Sequence, residues 1–254
     1  MANLKALRSR ITSVKSTKQI TSAMKMVSAA KLNKAQEAIE NVRPYAEKLT
    51  EIIQNLSATM EGETGSELAK EKEGNRTLVV ALSSNRGLAG AFNANIVKKV
   101  KRMYEQSSHK DDFYVACIGR KASDVLKKQF NIVFNEHEIY DHLDYEHAAK
   151  IAENLIQRFK DDDEFDKVVL VYNQFKNAAT QIVQEEQFLP IVPPDTEAAK
   201  ADQDYIFEPD KKEILQELMP KSLKIQLLKA LRDSFASEHG ARMTAMHQAT
   251  ENAT

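Results

Sequence analysis

Two long amphipathic segments at the ends of the chain constrain its fold more than any other feature. In the N-terminal segment, apolar side chains such as Leu4, Leu7 and Ile11 recur every three or four residues. This spacing is typical of helix-to-helix packing, and the pattern continues to Val42 before Pro44 interrupts it. At the rise of an α-helix, such a segment is about 60 Å long, which is more than the width of most globular domains.

A second helical pattern runs from Lys211 to the end of the chain and is interrupted at Pro220. Its apolar side chains, among them Leu227, Leu231 and Met246, again lie on one face. A helix with an exposed apolar stripe is not stable alone in water, so the two stripes are expected to pack against each other. The sequence therefore predicts an antiparallel coiled coil of two long terminal helices.

The middle of the chain has a different pattern, in which short β-branched runs alternate with helix-like stretches. The expected strands are residues 77–83, 113–118, 167–172 and 180–189, and the expected helices are residues 89–105, 120–129 and 145–160. Continuously apolar strands are typical of a parallel sheet that is covered on both faces. The predicted fold class is therefore α/β, with a Rossmann-like α/β domain inserted between the two helices of the coiled coil.

Polar segments that contain glycine or proline separate this domain from the terminal helices, at residues 61–75 and 190–204. Segments of this composition are predicted linkers. We therefore divide the chain into an N-terminal shaft helix over residues 1–60, a Rossmann-like domain over 76–205 and a C-terminal shaft helix over 211–254.

The charge distribution leaves a nucleic-acid-binding helical protein as one alternative. The net charge is −1, but the first 36 residues contain eight lysines and arginines, and the first acidic residue is Glu37. Against this alternative, the segment has no aromatic side chain to stack on bases, and its lysines alternate with an apolar stripe that requires a helical partner. No apolar run approaches the roughly 20 residues that span a bilayer, and the single Cys117 excludes an internal disulfide.

A nucleotide-dependent enzyme that uses the central domain is the other alternative. Residues 83–93, SSNRGLAGAFN, follow a strand and open a helix, but they have neither the P-loop ending nor the three-glycine dinucleotide pattern, so a structural turn is favoured. His137, His142 and His147 are spaced by five residues, which places successive side chains on different faces of a helix or strand. We therefore predict no catalytic, cofactor-binding or metal-binding residue.

Three segments resemble the gamma subunit family of the rotary ATP synthase. Residues 3–36, NLKALRSRITSVKSTKQITSAMKMVSAAKLNKAQ, resemble the N-terminal shaft helix of that family, and residues 82–96, LSSNRGLAGAFNANI, resemble its first βα turn. Residues 234–253, SFASEHGARMTAMHQATENA, are similar to its C-terminal helix. The three segments occur in the order found in the family, and the resemblance covers essentially the whole chain.

The resemblance implies a central rotor shaft of the proton-translocating ATP synthase, which couples rotation of the membrane c ring to ATP synthesis or hydrolysis at a head of alpha and beta subunits. It implies a non-catalytic chain without a cofactor, whose partners are the alpha, beta and epsilon subunits and the c ring, with no nucleic acid and no direct membrane insertion. The start of the chain at the family's beginning favours a bacterial protein, peripheral at the cytoplasmic face of the inner membrane, over a processed mitochondrial form. The family's C-terminal helix continues beyond the position of Thr254.

By the same resemblance, six residues are candidate contacts with the beta subunits, namely Lys18, Met24, Lys25, Lys31, Glu238 and Arg242. The family's beta subunits carry acidic loops that face this part of the shaft, and lysines are complementary to such loops. Small side chains and methionines in residues 21–30 provide dispersion contact without deep interlock, so that the shaft surface can slip. Ordinary coiled-coil packing of the methionines and a solvated lysine face remain the alternatives.

Overall fold

The computed structural model describes residues 4–59, 67–160, 164–191 and 210–253. Within these ranges the chain forms long terminal helices around a mixed α/β domain. The elements are α1, Leu4–Thr59; β1, Thr77–Leu82; α2, Phe92–Gln106; β2, Phe113–Ile118; α3, Arg120–Leu126; β3, Ile132–Glu136; α4, Tyr145–Lys160; β4, Lys167–Phe175; β5, Gln181–Leu189; and α5, Lys211–Asn252.

Both terminal helices continue through the prolines at which the sequence pattern predicts interruptions. Pro44 lies inside α1 and Pro220 lies inside α5. A proline removes one hydrogen bond from the interior of a helix, but apolar packing holds the flanking residues in place. Leu49 and Ile53, which follow Pro44, pack against Ile225 of α5. The predicted interruptions were wrong, because tertiary contacts outweigh the local effect of proline.

The five strands form one sheet in the order β3-β2-β1-β4-β5, in which only β5 is antiparallel to its neighbour. Consecutive residues of β1 alternate between two apolar cores. Leu78 and Val80 pack on the side of α4 and α5, whereas Val79 and Ala81 pack on the side of α2 and α3. The strand is thus buried on both faces, which explains its continuously apolar sequence.

Strand β3 was not predicted from the sequence. It lies at the edge of the sheet, paired on one side with β2. Its five side chains are half-buried or exposed rather than buried. The continuous apolar run by which the inner parallel strands were found is therefore missing from this strand.

The two predicted linkers lie largely outside the described residues. The linker predicted at 61–75 is described from residue 67 onward, where Glu67–Ala69 form a short 3₁₀ turn and Leu68 packs into the core of the domain. The linker predicted at 190–204 is described only as far as Ile191. The domain bounds stay a prediction.

Helices α1 and α5 run side by side in opposite directions. Near the C-terminal end of α5, the hydroxyl oxygens of Thr21 and Thr250 are 2.7 Å apart. Further along, Arg43 of α1 pairs with Asp233 of α5 at 3.0 Å. The first turns of α1 extend beyond this contact, where the side chain of Leu4 is 69% exposed. The predicted coiled coil with an inserted Rossmann-like α/β domain is confirmed.

A partly buried ion pair at the start of β1 and β4 has a pH-dependent contribution to stability. The backbone N–H of Arg76 donates to Asp166 Oδ2 at 2.8 Å, and its guanidinium donates to Oδ1 at 2.8 Å. These side-chain and backbone hydrogen bonds from Arg76 lower the pKa of Asp166. A carboxyl group whose pKa is lowered in the folded state contributes stability above its unfolded pKa of about 3.9, and this contribution is lost as the pH falls through the folded pKa.

We therefore expect Asp166→Asn to lower the free energy of unfolding by about 2 kcal/mol at pH 7, and by less at pH 3, as measured by urea denaturation. Asp124→Asn is the matched control, because Asp124 is 54% exposed and its lysine partners are 3.7 and 3.9 Å away. Its expected loss is below about 0.5 kcal/mol. An equal loss at both pH values for Asp166→Asn would contradict the prediction.

Candidate functional site at the junction of shaft and domain

A groove opens where α1 and α5 pass the turn between β1 and α2. It has a volume of about 450 Å³, and we call it the junction groove. Helix α1 contributes Met24 and Lys31, the turn contributes Gly87 and Leu88, and α5 contributes Glu238 and Arg242, among other residues. The groove therefore brings together four of the six predicted contact residues, namely Met24, Lys31, Glu238 and Arg242.

The other two predicted contacts, Lys18 and Lys25, lie closer to the N-terminal end of α1. The Nζ atom of Lys25 is 3.2 Å from Nδ1 of His247 on α5. Lys18 accepts a hydrogen bond at its carbonyl oxygen from the Thr21 hydroxyl at 3.2 Å. Lys31 is exposed, whereas Lys18 and Lys25 are half-buried. From Lys18 to Lys31, which lines the groove, the three lysines lie along a stretch of α1 about 20 Å long.

Glu238 and Arg242 form a buried ion pair within α5. Their side chains are one helical turn apart, with Oε1 and Nη2 separated by 2.6 Å, and the residues are 6% and 7% exposed. Burial raises the pKa of Glu238, and the charge of Arg242 opposes that rise. Arg242 also donates to the carbonyl oxygens of Arg86 and Gly87, both at 3.3 Å. The pair therefore ties α5 to the turn that follows β1.

Arg242 also determines the tautomer of His239. Its Nη1 lies 3.4 Å from Nδ1 of His239, and because arginine can only donate, the proton of the neutral ring is on Nε2. Burial, together with the charges of Arg242 and Lys31, lowers the pKa of His239 to about 3, so the ring is neutral at physiological pH. Within the described part of the chain, Nε2 has no hydrogen-bond partner. It is thus a buried donor without a partner in the described part of the chain.

Leu88 is a feature of the groove that the sequence did not predict. Its φ angle is 61°, in the left-handed region that branched side chains rarely adopt, and its side chain is 65% exposed. Residues with a strained backbone cluster at functional sites, so Leu88 is a further candidate contact residue. The only sequence signal was a bulky residue in the run RGLAG, between two glycines.

Asparagine side chains at the turn between β1 and α2 accept hydrogen bonds from two nearby backbone N–H groups. The side chain of Asn93 accepts from the backbone N–H of Ser84 at 3.0 Å, and that of Asn85 accepts from the N–H of Arg120, at the start of α3, at 3.2 Å. Such N–H groups hold the phosphate in nucleotide-binding loops. Here side chains already occupy these two, which supports a structural turn.

The remaining candidate sites have no arrangement for metal binding or nucleophilic chemistry. The rings of His142 and His147 are 5.9 Å apart, closer than their spacing suggests, but in the described ranges no three His, Cys, Asp or Glu side chains are grouped to hold a metal. Cys117 is buried, and burial raises its pKa to about 12, so it is protonated and unreactive. Across the described helices, none is both long and apolar enough to cross a membrane.

Comparison with known proteins identifies the family. A family model described as ATP synthase matches residues 3–254. The ATP synthase gamma chain of Christiangramia forsetii is 63% identical over 254 residues, and that of Flavobacterium johnsoniae is 58% identical over 260 residues; in both cases the match covers 100% of this chain and 88% of the relative.

Solved structures agree with the assignment. A chain in the central stalk and c-ring structure of the Tetrahymena thermophila mitochondrial ATP synthase aligns with a TM-score of 0.66 at 27% identity, covering 91% of this chain and 99% of that chain. A rotor chain of the Euglena gracilis mitochondrial ATP synthase has the same fold, with a TM-score of 0.68 at 20% identity over 98% of this chain and 91% of that chain. With its two antiparallel terminal helices and its α/β domain, the chain belongs to the ATP synthase gamma chain family, and its role is that of the central rotor shaft.

Proposed function

We propose that the chain couples rotation of a c ring to ATP synthesis or hydrolysis at a head of alpha and beta subunits, and that it has no catalytic site of its own. The observation that carries the proposal is the pairing of α1 and α5 into a rod that adjoins the α/β domain. Helix α1 has 56 residues, which corresponds to a length of about 84 Å. A rod of this length reaches from a partner near the membrane into a surrounding head. The related Tetrahymena chain belongs to a structure of the central stalk and c ring.

The mechanism requires that the surface of the shaft be different on its different sides. The side with the junction groove carries Lys31 and the exposed Leu88. As the shaft turns, each beta subunit meets this side in turn, and the difference in contact energy biases its nucleotide site towards one conformation. The chemistry then takes place in the head, and this chain supplies only the asymmetric surface.

The contact surface for the beta subunits combines charge with an apolar projection. Lys18, Lys25 and Lys31 attract acidic loops, and Met24 supplies flexible apolar contact. Glu238 and Arg242, the other two candidates, already pair with each other, and Arg242 also donates to the turn after β1. This pair therefore acts through the turn that Arg242 holds. We add Leu88 to the proposed contacts on the basis of its exposure and strained backbone.

The α/β domain is the proposed contact for the epsilon subunit and the c ring, because the rod formed by α1 and α5 is assigned to the head. We propose that the chain is a peripheral protein at the cytoplasmic face of a bacterial inner membrane. The bacterial source of the two gamma chains compared above supports this location.

Reconstitution of the head tests the proposal. The chain is co-expressed with alpha and beta subunits from one bacterium, and ATP hydrolysis is compared with that of alpha and beta alone. We expect hydrolysis to rise at least roughly tenfold, because the shaft biases the nucleotide sites through differential contacts. The isolated chain is expected neither to bind ATP nor to be retained on DNA at moderate salt. A head whose activity does not change when the chain is added would contradict the proposed function.

A charge substitution tests the lysine contacts within the same assembly. Replacing Lys18, Lys25 and Lys31 by glutamine is expected to lower the stimulated hydrolysis rate about fivefold, since each pair with an acidic loop contributes a few tenths to 1 kcal/mol. The control replaces Lys98, Lys127 and Lys128, which are exposed on the α/β domain, and changes the net charge equally. Equal losses in the two triple variants would show that net charge, rather than contact, is responsible.

A further inference from the structure

The place where an open α/β sheet binds its ligand is filled by α5 in this chain. In such sheets the ligand site lies at the carboxyl ends of the strands where the strand order reverses, which here is between β1 and β4. The hydroxyl of Ser237 on α5 donates to the carbonyl oxygen of Asn173 in β4 at 2.9 Å. On the side of β1, Ala241 packs against Ala89 and Phe92. The helix therefore occupies the crevice in which a nucleotide would bind.

Two turns of the domain hold α5 in this crevice. The turn after β1 accepts hydrogen bonds from Arg242, as described above. The turn after β4 approaches Gly240 so closely that a Cβ atom there would lie 3.2 Å from Cα of Ala178 and 3.4 Å from Cε2 of Phe175. Thr244 donates from its hydroxyl to the carbonyl oxygen of Ala178 at 3.1 Å. We call residues 237–244 of α5, together with the two turns at 86–90 and 175–178, the crevice joint.

A second contact between α5 and the domain lies closer to the N-terminal end of α5. There Leu223 and Leu227 pack into the apolar core of the domain, and Gln226 donates to the carbonyl oxygen of Gln187 in β5 at 3.0 Å. The crevice joint differs in that hydrogen bonds reach α5 from turns on two sides, and in that the backbone approaches Gly240 too closely for a side chain to lie between helix and turn. Hydrogen bonds have preferred distances and angles. The joint therefore fixes the angle and the register of the domain on the rod.

We propose that the crevice joint transmits torque between the α/β domain and the rod. Helix α5 occupies the position of a ligand and is held by turns on both sides. A sideways force on the α/β domain therefore turns the rod without movement of the domain relative to α5. Ser237, Gly240 and Thr244 are then positioning residues for rotary coupling. The proposal rests on the proposed coupling between c ring and head, and its test is designed to separate the two.

The first variant is Gly240→Val, studied in the ATP synthase assembled with this chain in inverted membrane vesicles. Valine is no worse than glycine in a helix interior, so any loss comes from the contact with Ala178. Overpacking at this site is expected to lower ATP-driven ion transport at least roughly threefold while hydrolysis changes less than about twofold. Gln248→Val, at an exposed position of α5, is the control and is expected to keep the wild-type ratio of transport to hydrolysis. An unchanged ratio in Gly240→Val would overturn the proposal.

The second variant combines Ser237→Ala with Thr244→Val, which removes the hydroxyl hydrogen bonds to Asn173 and Ala178 without adding a side chain at Gly240. Loss of these directional contacts is expected to lower the ratio of transport to hydrolysis about twofold. A wild-type ratio in this variant would overturn the proposal. This result decides the question even where Gly240→Val fails to assemble. Absence of transport with the unsubstituted chain would instead count against the proposed coupling itself.

Discussion

Replacing Arg43 by methionine is expected to lower the free energy of unfolding by about 3 kcal/mol at pH 7.5. Arg43 of α1 donates to Oδ1 of Asp233 on α5 at 3.0 Å and to the carbonyl oxygen of Phe175 in β4 at 3.3 Å. The side chain of Asp233 is fully buried, whereas that of Arg43 is 39% exposed. Methionine retains most of the apolar stem but leaves the buried carboxylate without its counter-charge. Urea denaturation followed by circular dichroism measures the difference.

The pH dependence of that loss distinguishes charge from packing. Burial raises the pKa of Asp233, and Arg43 opposes this rise, so the pKa is expected to rise further in Arg43→Met. A carboxyl group whose folded pKa is raised costs nothing below its unfolded pKa of about 3.9, and its cost grows as the pH rises from the unfolded pKa to the folded pKa. The deficit of the variant is therefore expected to be small at pH 4 and larger at pH 7.5.

An exposed ion pair provides the control for Arg43→Met. Lys48 and Glu51 are 2.7 Å apart on α1, with side chains 54% and 40% exposed. Lys48→Met is expected to change the free energy of unfolding by only about 0.5 kcal/mol. A deficit in Arg43→Met that is the same at pH 4 and pH 7.5 would assign the loss to packing and contradict the electrostatic explanation.

Gly119→Ala is expected to cost about 4 kcal/mol, or to prevent folding of the α/β domain. Gly119 has a φ angle of 105°, and a Cβ atom there would lie 2.1 Å from the carbonyl oxygen of Ser83. The backbone around it cannot easily shift, because Ser83 donates to Ile118 at 2.8 Å and Gly119 donates to Glu136 at 2.7 Å. These bonds join the ends of three strands at the edge of the sheet that the groove adjoins. Urea denaturation of the purified chain measures the loss.

Gly87→Ala is the matched control for Gly119→Ala. Its added Cβ would have one heavy-atom neighbour, Cε of Lys121, at 4.0 Å, and its φ angle lies outside the left-handed region. Its expected effect is within about 0.5 kcal/mol of zero, since alanine also restricts the unfolded chain. Comparable losses in both variants would mean that the close approach to Ser83 is not the cause.

Elements with a strong local signal were predictable from the sequence. Strand β2 and helix α4 begin and end at the predicted residues. Strand β4 was predicted to end at Tyr172 but continues to Phe175, because it pairs with β5 as far as Gln181. Hydrogen bonds between strands do not alter the apolar pattern of either strand. The end of β4 at Phe175 was therefore not predictable from that pattern.

The candidate site was predictable only in part. Met24 and Lys31 were named through the resemblance of the N-terminal segment, and the spacing of four between Glu238 and Arg242 already places them on one helix face. Their burial, and the hydrogen bonds of Arg242 to a turn more than 150 residues away, were not predictable. Leu88 and His239 were missed because backbone strain and an unused donor are properties of the folded structure.

The two long terminal helices and the α/β domain between them follow from the amino-acid order alone, because apolar periodicity is a local property that reflects which face of each element is buried. The register of the rod, in which Arg43 meets Asp233 190 positions later, is set by contacts in the folded protein. Such contacts also decide that α1 continues through Pro44 and that α5 fills the crevice of the sheet. Such features depend on the balance of contacts between distant segments, and no single segment of the chain contains the information that sets this balance.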